Sequence, residues 1–167
     1  MSLLKEDHAL LIEIVREGGA LALSYFHSGV KHWDKGYGDP VSEADHAVDD
    51  LLRQKLLDHR PQYGWLSEET EDDSKRLGCR DVWVVDPIDG TRAFIQQRAE
   101  FTVCAALVRD GRPVAAAVYN PAKQEFFDAV QGGGARLNGE SIQVTSIQNF
   151  EGARLLTGRN LFKNAGP

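Results

Sequence analysis

Val82-Trp83-Val84-Val85-Asp86-Pro87-Ile88-Asp89-Gly90-Thr91 is the stretch that orders the reading of the whole chain. Its first four residues are apolar and three of them are β-branched. Such a run is too short for a helix, so a buried strand is predicted. The strand leads straight into two carboxylates three residues apart, with a proline between them and a Gly-Thr pair after them. Acids at a strand end, beside a glycine that lets the backbone approach a ligand, suit a hard cation and a phosphate. A second short strand, Gly64-Trp65-Leu66, leads to another acidic pair, Glu68-Glu69, and a further acid, Asp45, opens a helix. Like charges gathered in one buried place are costly unless a cation compensates them. These acids are therefore read as a magnesium site.

Outward from that strand, the middle of the chain is strand-rich. Residues 64–66, 82–85, 102–108, 114–119 and 125–130 are the candidates. Asp110-Gly111 between two of them is a strong hairpin signal, and Asn120-Pro121 makes the next turn. Hairpins imply antiparallel pairing, so helices should cover the sheet rather than cross over between parallel strands. A short helix is expected from Gly90-Thr91, carrying Ala93, Phe94 and Ile95. Gly132-Gly133-Gly134 and Asn138-Gly139 are turns. The first third is helical: Leu10, Leu11, Ile14, Val15, Leu21, Ala22, Tyr25 and Phe26 recur at helical spacing. Gly18-Gly19 interrupts the pattern and marks either close packing or a weak point. A polar loop over 28–40 precedes a second helix over 42–58, whose apolar face is Ala44, Val48, Leu51, Leu52 and Leu56. Ala153-Arg154-Leu155-Leu156-Thr157 reads as the start of a further strand whose neighbours are expected from outside this chain.

Composition bounds the function. The 167 residues are 42% hydrophobic and 26% charged, which describes a globular domain with a real core rather than a disordered chain. The formal net charge of −6, with no Lys/Arg stripe, argues against nucleic acid as the main partner. Cys79 and Cys104 form no C-x-x-C pair, which fits a reducing compartment and no zinc site. Cys104 lies in an apolar run, so core packing is its expected role. The N-terminal residues lack a signal-peptide pattern and no segment is long enough to span a membrane, so a cytoplasmic location is expected.

Each acid also has a plainer reading. Asp89 fits an Asx turn or the N-cap of the next helix. Asp45 fits a capping box with Ser42, and that role is compatible with a second one. Glu68-Glu69 fits a solvated acidic loop that continues through Glu71, Asp72 and Asp73. Convergence favours a site: three separate acidic points, two of them at strand ends. In that site Asp86 and Asp89 share one loop with the Ile88 carbonyl turned inward, and Glu68 arrives from the neighbouring strand. Thr91 positions a water, and the amides of Gly90 and Thr91 face the phosphate. The histidines form no metal-binding spacing. Ser67 has no G-x-S-x-G context. The spacing D-x-x-D-G-T, with Pro87 two places before Asp89, speaks against an aspartyl-phosphate phosphatase.

The segment Asp86-Pro87-Ile88-Asp89-Gly90-Thr91 resembles the signature of the inositol monophosphatase family of magnesium-dependent, lithium-sensitive phosphatases. Asp39-Pro40-Val41-Ser42-Glu43-Ala44-Asp45 and Leu66-Ser67-Glu68-Glu69 resemble two further segments of it, in the expected order, with Ser67 in place of the usual glycine. The resemblance runs from about residue 5 to 160. It implies an α+β fold, a layered αβαβα sandwich with a mainly antiparallel sheet. It implies metal binding by Glu68, Asp86, Asp89 and the Ile88 carbonyl, and a nucleophilic water oriented by Thr91 with Asp45 and Glu68. The implied activity is hydrolysis of a small phosphorylated metabolite, with inositol phosphate favoured, by direct attack of a metal-activated water. Glu100-Phe101-Thr102-Val103 followed by Ala106-Leu107 is similar to the 3'(2'),5'-bisphosphate nucleotidase branch, and Asp89-Gly90-Thr91-Arg92-Ala93-Phe94-Ile95 resembles histidinol-phosphatase-like members. The family carries a later W-D-x-A segment with a further metal-binding Asp, which has no counterpart in residues 140–167. The expected organisation is thus an N-terminal metal-binding domain over 1–150 and the start of a truncated second subdomain over 151–167, the C-terminal half being absent. Family members commonly form homodimers. The second reading, from a different class, is a catalytically silent metal- or phosphate-binding fragment.

Overall fold

The computed structural model describes residues 2–36 and 38–154. Helix α1 (Leu3–Ser28) is followed by a small antiparallel hairpin, β1 (His32–Asp34) and β2 (Pro40–Ser42), and by helix α2 (Glu43–His59). Then come β3 (Gly64–Ser67), a 3-10 turn (Ser74–Gly78), β4 (Asp81–Asp89) and the short helix α3 (Thr91–Ile95). Four hairpin-connected strands and a last short one complete the order: β5 (Thr102–Arg109), β6 (Arg112–Asn120), β7 (Glu125–Val130), β8 (Gly134–Leu137) and β9 (Glu140–Ile142). Strands β3 to β9 form one sheet in sequence order. Its pairs are antiparallel except β3–β4, which run parallel through the 3-10 turn. That crossover is the one departure from the expected hairpin logic.

Both helices lie on one face of the sheet, α1 against β5 and β6, α2 against β4. Period-two alternation turns Trp83, Val85, Val103, Ala105, Leu107, Ala115 and Ala117 toward them. The helices answer with Leu11, Val15 and Ala22 from α1 and Val48, Leu52 and Leu56 from α2, all fully buried. The fold is therefore α+β. Of the five layers implied by the resemblance, the described residues build a helical layer and a sheet. Gly18-Gly19 marks close packing, not a weak point. A Cβ on Gly19 would stand 2.2 Å from Tyr119 Cδ1 on β6, so the helix can lie this close only without one.

Several expectations are corrected. Strand β4 is longer than 82–85 and contains the acidic stretch itself. The loop over 28–40 holds the β1–β2 hairpin, and the turns near 132 and 138 frame two strands, β8 and β9. Cys104 points away from the helices and is half-buried, because Val103 and Ala105 on either side of it take the core face. Burial pushes its thiol up to about 11, against a lowering contact from Thr102 Oγ1. Residues 143–154 carry no regular structure, and Ala153 N–H closes a turn on Phe150 O. The rest of the strand expected at 153–157, including Leu155 and Leu156, lies outside the described residues. Among those residues no helix is long and apolar enough to cross a membrane.

Candidate active site

A β-bulge builds the centre of the site. In the β4–β5 ladder Asp86 pairs with Cys104 and Asp89 with Thr102, so two residues of β4 oppose one of β5. In an unbroken strand, residues three apart point to opposite faces. The extra residue lets Asp86 and Asp89 open on the same side while Pro87 and Ile88 are both buried. Pro87 has no N–H to give the ladder, and a bulge is where a strand tolerates that. Gly90 then turns the chain into α3 with φ 98°. A Cβ there would stand 2.6 Å from the Glu100 carbonyl, so no other residue fits without moving backbone.

The bulge faces a pocket of about 220 Å³ lined by Asp39, Pro40, Glu68, Asp86, Ile88, Asp89, Gly90, Thr91 and Arg92. Six of these, Glu68, Asp86, Ile88, Asp89, Gly90 and Thr91, were singled out from sequence, and the fold brings them to one place. Asp45 does not line the pocket. It lies beneath it, 1% exposed, and touches Thr91. Its Oδ2 accepts from Ser42 N–H at 2.9 Å and Ser42 Oγ at 2.5 Å, and its Oδ1 stands 3.0 Å from Thr91 Oγ1. The capping box and the link to the site are therefore both real, one on each oxygen. Thr91 Oγ1 is also 3.0 Å from the Ile88 carbonyl.

A second acid on α2 supports the other arm. Asp49 follows Asp45 by one helical turn and is 3% exposed. It accepts from Ser67 Oγ and Thr70 Oγ1, the residues on either side of Glu68-Glu69. One helix thus holds both the Thr91 arm and the Glu68 arm.

The electrostatics are those of a crowded acidic pocket. Burial, followed by the charges of Glu68, Asp89, Asp45 and Glu69, pushes the Asp86 carboxyl up to about 7. Lys35, from the β1–β2 loop, answers part of this charge: its Nζ is 2.7 Å from Glu69 Oε1 and 3.9 Å from both Glu68 Oε1 and Asp39 Oδ2. Burial works against its charge, but Glu69, Glu68 and Asp39 outweigh it and hold its pKa above the ordinary lysine value. Among the described residues no three His, Cys, Asp or Glu side chains are drawn together as a ready-made metal centre. Glu68, half-exposed, lies between the bulge and Lys35, lining the pocket with Asp86 and Asp89 while its Oε1 stands 3.9 Å from Lys35 Nζ. Mutual repulsion is the physical reason for acids to stay apart, and the raised Asp86 carboxyl is its signature. A hard divalent cation would relieve it, and the donors on offer are all oxygen. The residues present fit magnesium.

Sequence reasoning missed Lys35, Asp49 and Arg92. Lys35 gives no local signal, since it reaches the pocket only through the fold, whereas Arg92 directly follows Thr91 and was passed over as a solvated side chain. Arg92 Nη2 donates to the Gly38 carbonyl and ties α3 to the β1–β2 loop. Asp49 was legible in principle: an acid between Val48 and Leu52 on a helix's apolar face calls for a partner.

The chain matches the inositol monophosphatase family over residues 3–164. An inositol-1-monophosphatase of Rhizobium meliloti (strain 1021) is 40% identical over 124 residues, 74% of this chain and 46% of that protein. A histidinol-phosphatase of Chlorobaculum parvum is 34% identical over 142 residues, 84% of this chain and 54% of that protein. Among solved structures, the extragenic suppressor protein suhB of Bartonella henselae is similar with a TM-score of 0.77 at 29% identity, covering 83% of this chain and 54% of that one. The chain spans about half the length of the curated relatives it matches.

Proposed function

This chain belongs to the inositol monophosphatase family, and from that premise we propose that it carries the metal- and water-positioning residues of a magnesium-dependent phosphomonoesterase. The substrate class is a small phosphate monoester, with an inositol phosphate favoured. The observation that carries this reading is the Thr91 hydroxyl, set in the wall of an acid-lined pocket with its hydrogen aimed at buried acceptors.

Glu68, Asp86, Asp89 and the Ile88 carbonyl would hold the magnesium. Bound there, it would supply positive charge for the phosphate oxygens and acidify the attacking water. A hydroxyl has one hydrogen and two lone pairs. With the Ile88 carbonyl engaged, Asp45 Oδ1 is the remaining acceptor for the Thr91 hydrogen. A Thr91 lone pair is then free to take a hydrogen from the water. Glu68, on the opposite wall, accepts the other. The N–H groups of Gly90 and Thr91 would donate to the phosphate oxygens. Water is the nucleophile in this scheme: its oxygen bonds to phosphorus as the bond from phosphorus to the alcohol oxygen breaks, its proton passes to Glu68, the leaving oxygen takes a proton from solvent, and no covalent enzyme intermediate forms. The likeness to a histidinol-phosphatase favours histidinol phosphate as the second substrate to try. Two unpaired cysteines suit a reducing compartment, and a cytoplasmic location is part of the reading.

The test is thermal unfolding with and without magnesium. Saturating magnesium should raise the melting temperature of the wild type by about 5 °C or more. Asp86→Asn should melt higher than wild type without metal, because it removes a crowded carboxyl, and should lose the magnesium response. Equal indifference to magnesium in both proteins would sink the metal site. Phosphate release from inositol 1-phosphate and histidinol phosphate then tests the chemistry. Any magnesium-dependent turnover should vanish in Asp89→Asn with the fold intact, and an Asp89→Asn protein that keeps its turnover would refute the role assigned to Asp89.

A further inference from the structure

We propose that Asp49 is a positioning residue for the magnesium: from beneath the pocket it fixes the Glu68 arm through two hydroxyls, and so sets how tightly the metal is held. The proposal rests on the metal reading above. Glu68 follows the last residue of β3. Its side chain is half-exposed, and among the described residues its carboxylate approaches a charged partner only at Lys35 Nζ, 3.9 Å away. Its direction is therefore set by the backbone of residues 67–70. That backbone is gripped on both sides of Glu68-Glu69. Ser67 Oγ donates to Asp49 Oδ1 and Thr70 Oγ1 to Asp49 Oδ2. Ser67 Oγ in turn accepts from the Glu69 N–H at 3.3 Å.

The chemistry explains why an acid stands here. Asp49 is 3% exposed, on the helix face that carries the fully buried Val48 and Leu52. An apolar side chain would fill the place without the cost of burying a charge. Among the described residues no cationic group forms an ion pair with Asp49, so the two hydroxyls alone answer its charge. An ionised carboxylate only accepts, and a hydroxyl has one hydrogen. Asp49 takes the hydrogen of each hydroxyl, which leaves Ser67 Oγ only lone pairs to offer the Glu69 N–H. An asparagine would turn its NH2 against one of the two hydroxyls and break that order. Asp45 Oδ1 faces Thr91 Oγ1 in the same manner one helical turn earlier, so α2 presets both walls of the pocket. Ser67 stands where the resembled segment has its usual glycine, so this half of the grip belongs to the present chain rather than to the family pattern. Groups that orient a metal's ligands change its affinity by about 10- to 100-fold.

Calorimetric titration of the purified chain with magnesium tests this. Asp49→Asn, Ser67→Ala and Thr70→Val should each raise the magnesium dissociation constant about 10-fold or more. Thr70→Ser, which keeps the hydroxyl, should bind like the wild type. Asp49→Asn combined with Ser67→Ala should bind no more weakly than Asp49→Asn alone, because both cut the same link. A second measurement needs no metal. Hydrogen exchange at the Glu69 amide should quicken about 10-fold or more in Asp49→Asn, while the amides of β4 keep their wild-type rates. A loss of packing alone would quicken both and leave the magnesium affinity unchanged. If the wild type binds magnesium and Asp49→Asn binds it equally, or if the Glu69 amide exchanges as in the wild type, this proposal falls and the metal reading stands. Should Asp49→Asn fail to fold, equal magnesium affinity in Thr70→Val and Thr70→Ser would overturn the proposal in its place. A wild type blind to magnesium would overturn both readings together.

Discussion

One hydrogen decides what Thr91 can do. Two acceptors compete for it at the same 3.0 Å, the Asp45 carboxylate and the Ile88 carbonyl. Charge favours Asp45, and an engaged Ile88 carbonyl would settle the matter. In the proposed scheme Asp45 positions Thr91 without lining the pocket; the capping spacing foretold its bond to Ser42, while its role toward the water was implied only by the family resemblance. Asp86 and Asp89 were singled out because three acidic points converge, two of them at strand ends, and the fold does bring both to one pocket. Lys35 was not, because nothing local distinguishes it from a solvated side chain; Arg92 adjoins Thr91, but only the fold shows its bond to the Gly38 carbonyl. The Gly90 position holds the most rigid demand in the site. Gly90→Ala forces an L-residue to φ 98° and sets its Cβ against two backbone atoms, Glu100 O at 2.6 Å and Phe101 Cα at 3.2 Å. Neither neighbour is a side chain that can swing away. Urea unfolding should show a loss of about 2–4 kcal/mol, more than the 1–2 expected from the dihedral alone. A Gly90→Ala protein as stable as wild type would mean the turn can relax, and with it the geometry of Asp89 and Thr91.

At the level of elements, the site depends on a bulge and a helix end, and both are devices that period alone does not announce. The strong strands β5, β6 and β7 were read within two residues of their ends because each alternates or runs apolar. Strands β1 and β9 were missed for a physical reason: every residue in them is exposed, so no burial pattern is written into their sequence. Helix α1 carries a different hidden feature. His8 is buried with its Nε2 3.1 Å from Asp128 Oδ2 on β7, too poorly aligned for a hydrogen bond. Burial lowers its pKa, Asp128 pulls the other way, and the Arg136 charge adds to the fall. A histidine lowered on folding binds fewer protons folded than unfolded. Its neutral-state contribution is present above the unfolded value of about 6.5 and is lost as pH falls through it, until the lower folded pKa is passed. His8→Gln should therefore lose less stability than wild type between pH 7 and pH 5, measured by urea unfolding at each pH. Parallel curves for the two proteins would show that His8 does not titrate on unfolding.

The molecule as a whole keeps its core on one side. Every buried residue of the main cluster faces the α1–α2 layer, and the far face of the sheet contributes nothing to it. That asymmetry was only half legible. The alternation of β5 and β6 told which residues alternate, but both faces of these strands are apolar, so sequence could not say which face the helices would take. For the same reason Cys104 was assigned to the core when it belongs to the open face. The energetic consequence is unequal. Leu52 is fully buried between α2 and the sheet, whereas Phe127 is among the largest side chains on the other face. Leu52→Ala should cost about 2–5 kcal/mol, the usual range for a buried leucine that leaves a cavity. Phe127→Ala should cost clearly less than Leu52→Ala, because 36% of Phe127 stays in water and its loss opens no cavity in the core. Both variants should unfold in one transition with the wild-type urea slope, since among the described residues the helices and the sheet share one core. If Phe127→Ala instead costs as much as Leu52→Ala, the far face must be packed against another part of the chain, and the one-sided core of the described residues would no longer hold.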